Sequence, residues 1–192
     1  MGKIYLGSDW HFSRFRKKTR SMKYDYVRSK DILTKYKEVI TDEDLFIFLG
    51  DLSYIGKKNT PKINESLEKI RTLPGKKIMI KGNHDQSSNK MYRKLGFIYV
   101  TNFLQIDNVI FTHTPRSIDG NIINIHGHLH GNLKYYDDVK SYNHVDAFTG
   151  KFNNYPVLLE DLIYSGDFID KSLINDEFFE ILSSELFKIV KD

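Results

Sequence analysis

Three polar side chains of different chemistry follow one glycine in Gly82-Asn83-His84-Asp85, directly after the apolar run Ile78-Met79-Ile80. An amide, an imidazole and a carboxylate are groups that hold a divalent cation or move a proton, and a buried strand ending in a tight turn can present them together. Four other apolar runs end the same way. Ile4-Tyr5-Leu6 precedes Asp9-Trp10-His11, and Leu45 to Leu49 precede Gly50-Asp51. Val109-Ile110-Phe111 precedes His113, and Ile122 to Ile125 precede Gly127-His128-Leu129-His130. The chain has no cysteine, so disulfides and thiolate sites are excluded and a metal here must be held by His, Asp, Asn and water. A lone Asp or His at such a place is as well explained by a capped turn. Five of the seven histidines in strand-terminal motifs are not so explained. In extended backbone, the one-residue gaps in Asp9/His11 and His128/His130 put each pair on one side of the chain. His126 and His144 fall outside these motifs. A buried structural role is open for both, as is support of the ligands by His126, which alternates with His128, and by His144 with Asp146 from a neighbouring strand.

The elements that must position these residues alternate at first between strand and helix. Residues 4–6, 45–49 and 78–80 read as short buried strands, with 45–49 apolar on both faces as a central strand would be. Ile32, Leu33, Tyr36, Val39 and Ile40 form the stripe of an amphipathic helix over 31–40. Thr60-Pro61 starts a second helix, whose stripe of Ile63, Leu67, Ile70 and Leu73 stops at Pro74-Gly75. A short helix over 89–95 closes at Gly96, after which strands crowd together at 100–106, 109–114, 122–126 and 142–148, with Asp107-Asn108 as a hairpin turn. The segment 160–192 reads as one or two amphipathic helices. This rhythm predicts an α/β domain whose second half is antiparallel or mixed. At 192 residues and 40% hydrophobic content the chain suits one domain, 1–192, with a sizeable core. It holds no apolar stretch of membrane-spanning length and no secretory h-region, which predicts a cytoplasmic protein without a membrane partner. The oligomeric state is not legible in it.

Taken in order, D-x-H, G-D, G-N-H-D, a strand-terminal His and G-H-x-H resemble the calcineurin-like metallophosphoesterases. Pro156-Val157-Leu158-Leu159-Glu160-Asp161-Leu162-Ile163 is similar to the closing strand-to-helix segment of their small, stand-alone bacterial and phage members. The resemblance implies a two-sheet β-sandwich flanked by helices, a four-layer αββα arrangement. It also implies two divalent ions about 3.5 to 4 Å apart. Manganese is the first expectation for them, with iron, nickel or zinc as alternatives. By motif position, Asp9, His11 and His130 would hold one ion, Asn83, His113 and His128 the other, and Asp51 would bridge them. His84 would face the ions as general acid, with Asp85 orienting and charging it and Asn83 sharing the developing charge. A hydroxide bridging the ions would attack phosphorus in line. A Ser/Thr protein phosphatase is disfavoured, because those enzymes resemble G-D-x-V-D-R-G and G-N-H-E where this chain has Gly50-Asp51-Leu52-Ser53-Tyr54-Ile55-Gly56 and Asp85.

The net charge of +4 suits an anionic partner. Residues 13–30 form the most basic segment, with Phe15, Tyr24 and Tyr26 interleaved, and it follows a ligand motif directly. Arg14, Arg16, Lys17, Lys18 and Arg20 are therefore candidates for gripping a phosphate ester, a nucleotide or a nucleic acid, against the plainer reading of a solvated loop. Relatives often carry His-Phe-Gly-His where this chain has His11-Phe12-Ser13-Arg14, so Arg14 stands in place of a second histidine. The function expected is hydrolysis of a phosphate ester, a phosphodiester first. The alternatives are a nucleotide monoesterase, or a non-catalytic nucleic-acid-binding or scaffold protein on the same fold.

Overall fold

Strand residues alternate between two apolar environments, and that alternation builds the layers. A computed structural model describes residues 2–12, 22–53, 61–118, 120–132, 143–166 and 169–191. In chain order the elements are β1 (Ile4–Gly7), α1 (Met22–Val39), β2 (Leu45–Phe48), α2 (Pro61–Arg71), β3 (Lys76–Ile80), α3 (Asn89–Lys94) and β4 (Tyr99–Thr101). They continue as β5 (Phe103–Ile106), β6 (Val109–Thr112), β7 (Ile123–His126), β8 (His144–Asp146), β9 (Val157–Leu158), α4 (Leu159–Tyr164) and α5 (Phe178–Ile189).

The first sheet runs β4-β3-β2-β1-β9, parallel except for β9, and the second runs β5-β6-β7-β8 with β5 antiparallel to β6 and the rest parallel. Ile4, Leu6, Leu45, Ile47, Ile78 and Ile80 face Val109, Phe111, Ile123, Ile125 and Val145 in one core, which α4 and α5 join through Leu162, Phe178, Leu182 and Leu186. The alternate residues Tyr5, Phe46, Phe48 and Met79 face outward. There Ile32, Leu33 and Tyr36 of α1, Leu67 and Ile70 of α2, and Tyr92 of α3 cover them. The result is two mixed sheets flanked by helices, as expected.

Strands β6 and β8 end two residues before the sequence reading has them, at Thr112 and Asp146, and two other elements differ more. The run 100–106 is not one strand. It breaks at Asn102, with β4 at the edge of one sheet and β5 at the edge of the other, and the Thr101 hydroxyl donates to the Phe103 carbonyl at 2.9 Å across the break. Helix α1 begins at Met22, nine residues before the stripe predicts, because its polar first half (Lys23, Asp25, Arg28, Ser29, Lys30) has no periodic apolar signal. Residues 14, 16, 17, 18 and 20, the expected phosphate-gripping set, lie outside the described residues.

Candidate metal centre

Trp10 shows how the first motif is aimed. Its indole is buried on the helix side of the first sheet, with ring centroids 5.2 Å from Phe12, 5.7 Å from Phe46 and 4.9 Å from Phe48. Asp9 and His11, on either side of it, take left-handed backbone at φ +58° and +47° and turn the opposite way, toward the gap between the sheets. The same conformation recurs at Asp51 (φ +59°), His128 (+73°) and His130 (+53°). Left-handed backbone at a non-glycine residue costs about 1–3 kcal/mol and concentrates at functional sites. Convergence of Asp9 with His11 therefore does not come from extended alternation, as the spacing suggests, but from left-handed turns at the strand ends.

Backbone and side chain hold these turns. The amides of Asp9, His11 and Phe12 donate to the carbonyls of Gly50, Asp51 and Leu52, each at 2.9 Å, so the two loops run on as a ladder beyond β1 and β2. From α1, Arg28 donates to the carbonyls of Trp10 (2.6 Å) and Asp9 (3.2 Å). Arg28 belongs to the basic segment 13–30, and its guanidinium braces the ligand turn.

Two clusters of donor atoms result. In one, His11 Nε2 lies 3.1 Å from His130 Nε2, and Asp9 Oδ1 lies 3.3 Å from His130 Nε2 and 3.7 Å from His11 Nε2. In the other, Asn83 Oδ1 lies 3.0 Å from His113 Nε2 and 3.1 Å from His128 Nδ1, and the two imidazole nitrogens are 3.1 Å apart. Asp51 stands between them, with Oδ2 3.6 Å from His11 Nε2 and Oδ1 3.4 Å from His113 Nε2. His84 Nε2 lies 3.8 Å from Asp51 Oδ2, and its ring meets that of His11 edge-on at 5.4 Å. The seven expected ligands are thus brought together in the two groups that motif position suggests. A cavity of about 480 Å³ lined by His128, Leu129, His130 and Asn132 opens beside them.

The donor set fits cations on an observation independent of the motifs. Asp9 Oδ1 is buried without a hydrogen-bond partner among the described residues, while Oδ2 accepts from the Ser8 hydroxyl (2.6 Å) and the His128 amide (3.0 Å). A buried carboxylate oxygen left over in this way, facing imidazole nitrogens, suits an ion. His113 is prepared similarly. Its Nδ1–H donates to the Leu49 carbonyl at 2.8 Å, which leaves the Nε2 lone pair turned toward Asn83, His128 and Asp51.

Charges in the site shift as the geometry requires. Burial alone would raise the Asp51 carboxyl, but contact with His113, the His84 amide and the charge on His11 bring it down to about 2. Burial is likewise outweighed at Asp9, where His11, His113 and His130 hold the carboxyl below its usual value. At His113 burial disfavours the charged ring, yet Asp51 and Asp9 keep its pKa above the ordinary value. Burial and the charge of His113 push His128 down.

Asp85 was expected to orient and charge His84, and the structure corrects this. Its buried carboxylate is taken up by other partners. Oδ2 accepts from the amides of Asp51 (2.6 Å) and Gly82 (2.8 Å), and Oδ1 from the amide of Leu52 (3.1 Å) and the Tyr92 hydroxyl (3.5 Å). Burial pushes this carboxyl up to about 6. Asp85 thus fixes the Asp51 turn rather than the acid. His126 is buried beneath the ligand loop, with Nδ1–H donating to the Gly127 carbonyl at 2.9 Å, Nε2 3.2 Å from His144 Nδ1, and burial pulling its pKa down to about 3.

Two glycines serve this packing differently. Gly50 needs the left-handed region, at φ +87°. Gly82 is needed for close approach, since a Cβ there would lie 2.6 Å from the Asp51 amide nitrogen and closer still to its carboxylate. Gly82→Ala should therefore displace Asp51 and lower stability by about 1–3 kcal/mol, the usual cost of overpacking. Thermal melts with and without metal check this, and a larger loss is expected with metal than without.

An α/β sandwich with two His/Asp/Asn clusters sharing one carboxylate at its strand ends defines a class, the metal-dependent hydrolases. The family model for calcineurin-like phosphoesterases matches residues 2–161. The uncharacterised protein MJ1445 of Methanocaldococcus jannaschii is 34% identical over 135 residues, 69% of this chain and 72% of that protein. A crystal structure of the protein of unknown function AQ665 from Aquifex aeolicus is similar at a TM-score of 0.63 and 22% identity, covering 84% of this chain and 97% of that one. That of Pseudomonas putida nuclease MPE is similar at a TM-score of 0.50 and 22% identity, covering 66% of this chain and 61% of the nuclease. This chain belongs to the calcineurin-like phosphoesterase family. It is a metal-dependent phosphoesterase with Asp/His clusters suited to its ions. Among the described residues, no helix is long and apolar enough to cross a membrane.

Proposed function

We propose that the chain works as one domain that hydrolyses phosphodiesters with a pair of divalent ions, manganese first among them. The observation that carries this reading is the division of Asp51, whose two oxygens face different donor clusters. Asp9, His11 and His130 would hold one ion, Asn83, His113 and His128 the other, and Asp51 both. When bound, the ions supply an activated water and draw charge from the phosphoryl oxygens. The chain does the rest. Asn83 turns its amide oxygen to the two histidines, which leaves its NH₂ for a phosphoryl oxygen. His84 gives a proton to the leaving oxygen as the P–O bond to it breaks and the bond from water forms. The structural likeness to a nuclease supports a diester and extends the proposal to nucleotides or nucleic acid as substrate.

Chelator should abolish hydrolysis, and manganese added back to stripped protein should restore it, since the attacking water is activated by the ions in this reading. Full turnover in excess chelator overturns the two-ion reading. Side-by-side rates on bis-nitrophenyl phosphate, nitrophenyl phosphate and a short oligonucleotide test the diester preference. Faster cleavage of the monoester would replace it with the nucleotide monoesterase reading.

A further inference from the structure

The strand-end segment from Asp146 to Thr149 carries none of the metal-ligand motifs, yet it touches both loops of one cluster. Asp146, buried, accepts from the Gly131 amide on Oδ2 and the Phe148 amide on Oδ1, each at 2.9 Å. Gly131 directly follows His130, so the first bond pins the left-handed pair His130-Gly131 (φ +53° and +72°). The Phe148 ring then lies 4.8 Å from that of His130. One residue on, the buried Thr149 hydroxyl donates to the Ser8 carbonyl at 2.8 Å and accepts from the Ser8 amide at 2.9 Å. Ser8 in turn donates its hydroxyl to Asp9 Oδ2. One short segment thus fixes the backbone at His130 and the turn that carries Asp9, across the gap between the two sheets.

The other cluster is held from elsewhere. Asp85 fixes Asp51 and Gly82, and the Leu49 carbonyl fixes His113. Hydrogen bonds that cross between the clusters, from the His128 amide to Asp9 Oδ2 and from the His11 amide to the Asp51 carbonyl, do not involve residues 146–149. Resting on the two-ion reading above, we propose that Asp146, Phe148 and Thr149 are positioning residues for the Asp9/His11/His130 half alone, so that the two ion affinities are set by separate braces. The ion in that half is accordingly the one lost when the segment is loosened.

Asp146→Asn is the direct test. One carboxylate oxygen becomes an NH₂ group, which repels the amide it formerly accepted from. Removing such a support around a ligand typically weakens metal binding by about 10–100-fold. Manganese titration of stripped protein, followed by metal content and electron paramagnetic resonance, should show one ion weakened by that factor and the other retained. The spectrum at two equivalents should change from a spin-coupled pair to an isolated ion, while the metal-free chain still melts in one cooperative transition, lower by about the few degrees that one lost hydrogen bond costs. Equal weakening of both ions, or of neither, overturns the proposal. Should Asp146→Asn fail to fold, Phe148→Leu removes the ring from His130 and keeps both Asp146 hydrogen bonds. It should weaken the same single ion, with Phe148→Tyr restoring it, and no change in either would overturn the proposal. A wild-type chain that takes up only one ion sinks the two-ion reading instead. The brace then stands if Asp146→Asn weakens that ion and falls if it does not.

Discussion

Asp51→Asn should release both ions at a metal concentration that saturates the wild-type chain, and lower hydrolysis by a factor on the order of 10³. The expectation follows from how its oxygens are divided. Oδ2 faces His11 in one cluster, and Oδ1 faces His113 in the other while also accepting from the His84 amide at 2.9 Å. Asparagine keeps one acceptor and no charge, so whichever cluster retains the oxygen, the other meets an NH₂ group. The loss of charge reaches both, because the carboxylate is buried and held ionised, with its pKa down at about 2. Replacing Asp9, which belongs to one cluster, should release one ion. Metal content after desalting, beside turnover on a diester, separates the two outcomes. An Asp51→Asn chain that keeps two tightly held ions would show that the carboxylate does not join the clusters.

Much of this site is legible in the residues because its chemistry is tied to strand ends. Apolar runs closed by Asp, Asn or His fix where side chains emerge, and the central strand β2 reads as buried on both faces, as found. The backbone conformations are not legible, since the left-handed turns at Asp9 and Asp51 are set by ladder hydrogen bonds and by Trp10 in the opposite core, and the one at His130 by Asp146 through the Gly131 amide. Neither is the division of labour among acidic and basic residues. Asp85 sits beside His84 in sequence yet serves Asp51, and Arg28, within the basic segment 13–30, braces the Asp9 turn. Position along the chain reveals which residue types reach the site, but the direction of a side chain depends on partners contributed by distant segments. Thr149 gives no local hint that it holds Ser8, 141 residues away.

His84 offers the sharper mechanistic discrimination. Its amide is fixed on Asp51 Oδ1 while its half-buried ring reaches Asp51 Oδ2 at 3.8 Å, so the same geometry allows an acid facing the substrate or a further ligand beside His11 and Asp51. The two roles separate by leaving group. A nitrophenolate departs without a proton, whereas an alkoxide needs one in the transition state, and general acid catalysis contributes about 10²–10⁴-fold. His84→Ala and His84→Asn should therefore bind two ions as the wild type does and lose roughly that factor in kcat on an alkyl or nucleoside diester, with a much smaller loss on bis-nitrophenyl phosphate. The pH profile should change with it, since the limb belonging to the acid disappears for alkyl substrates in the variant. Equal losses on both substrates, together with one ion missing, would make His84 a ligand. The proton would then have to come from solvent, and the preference of the wild-type chain for activated leaving groups would be correspondingly steep.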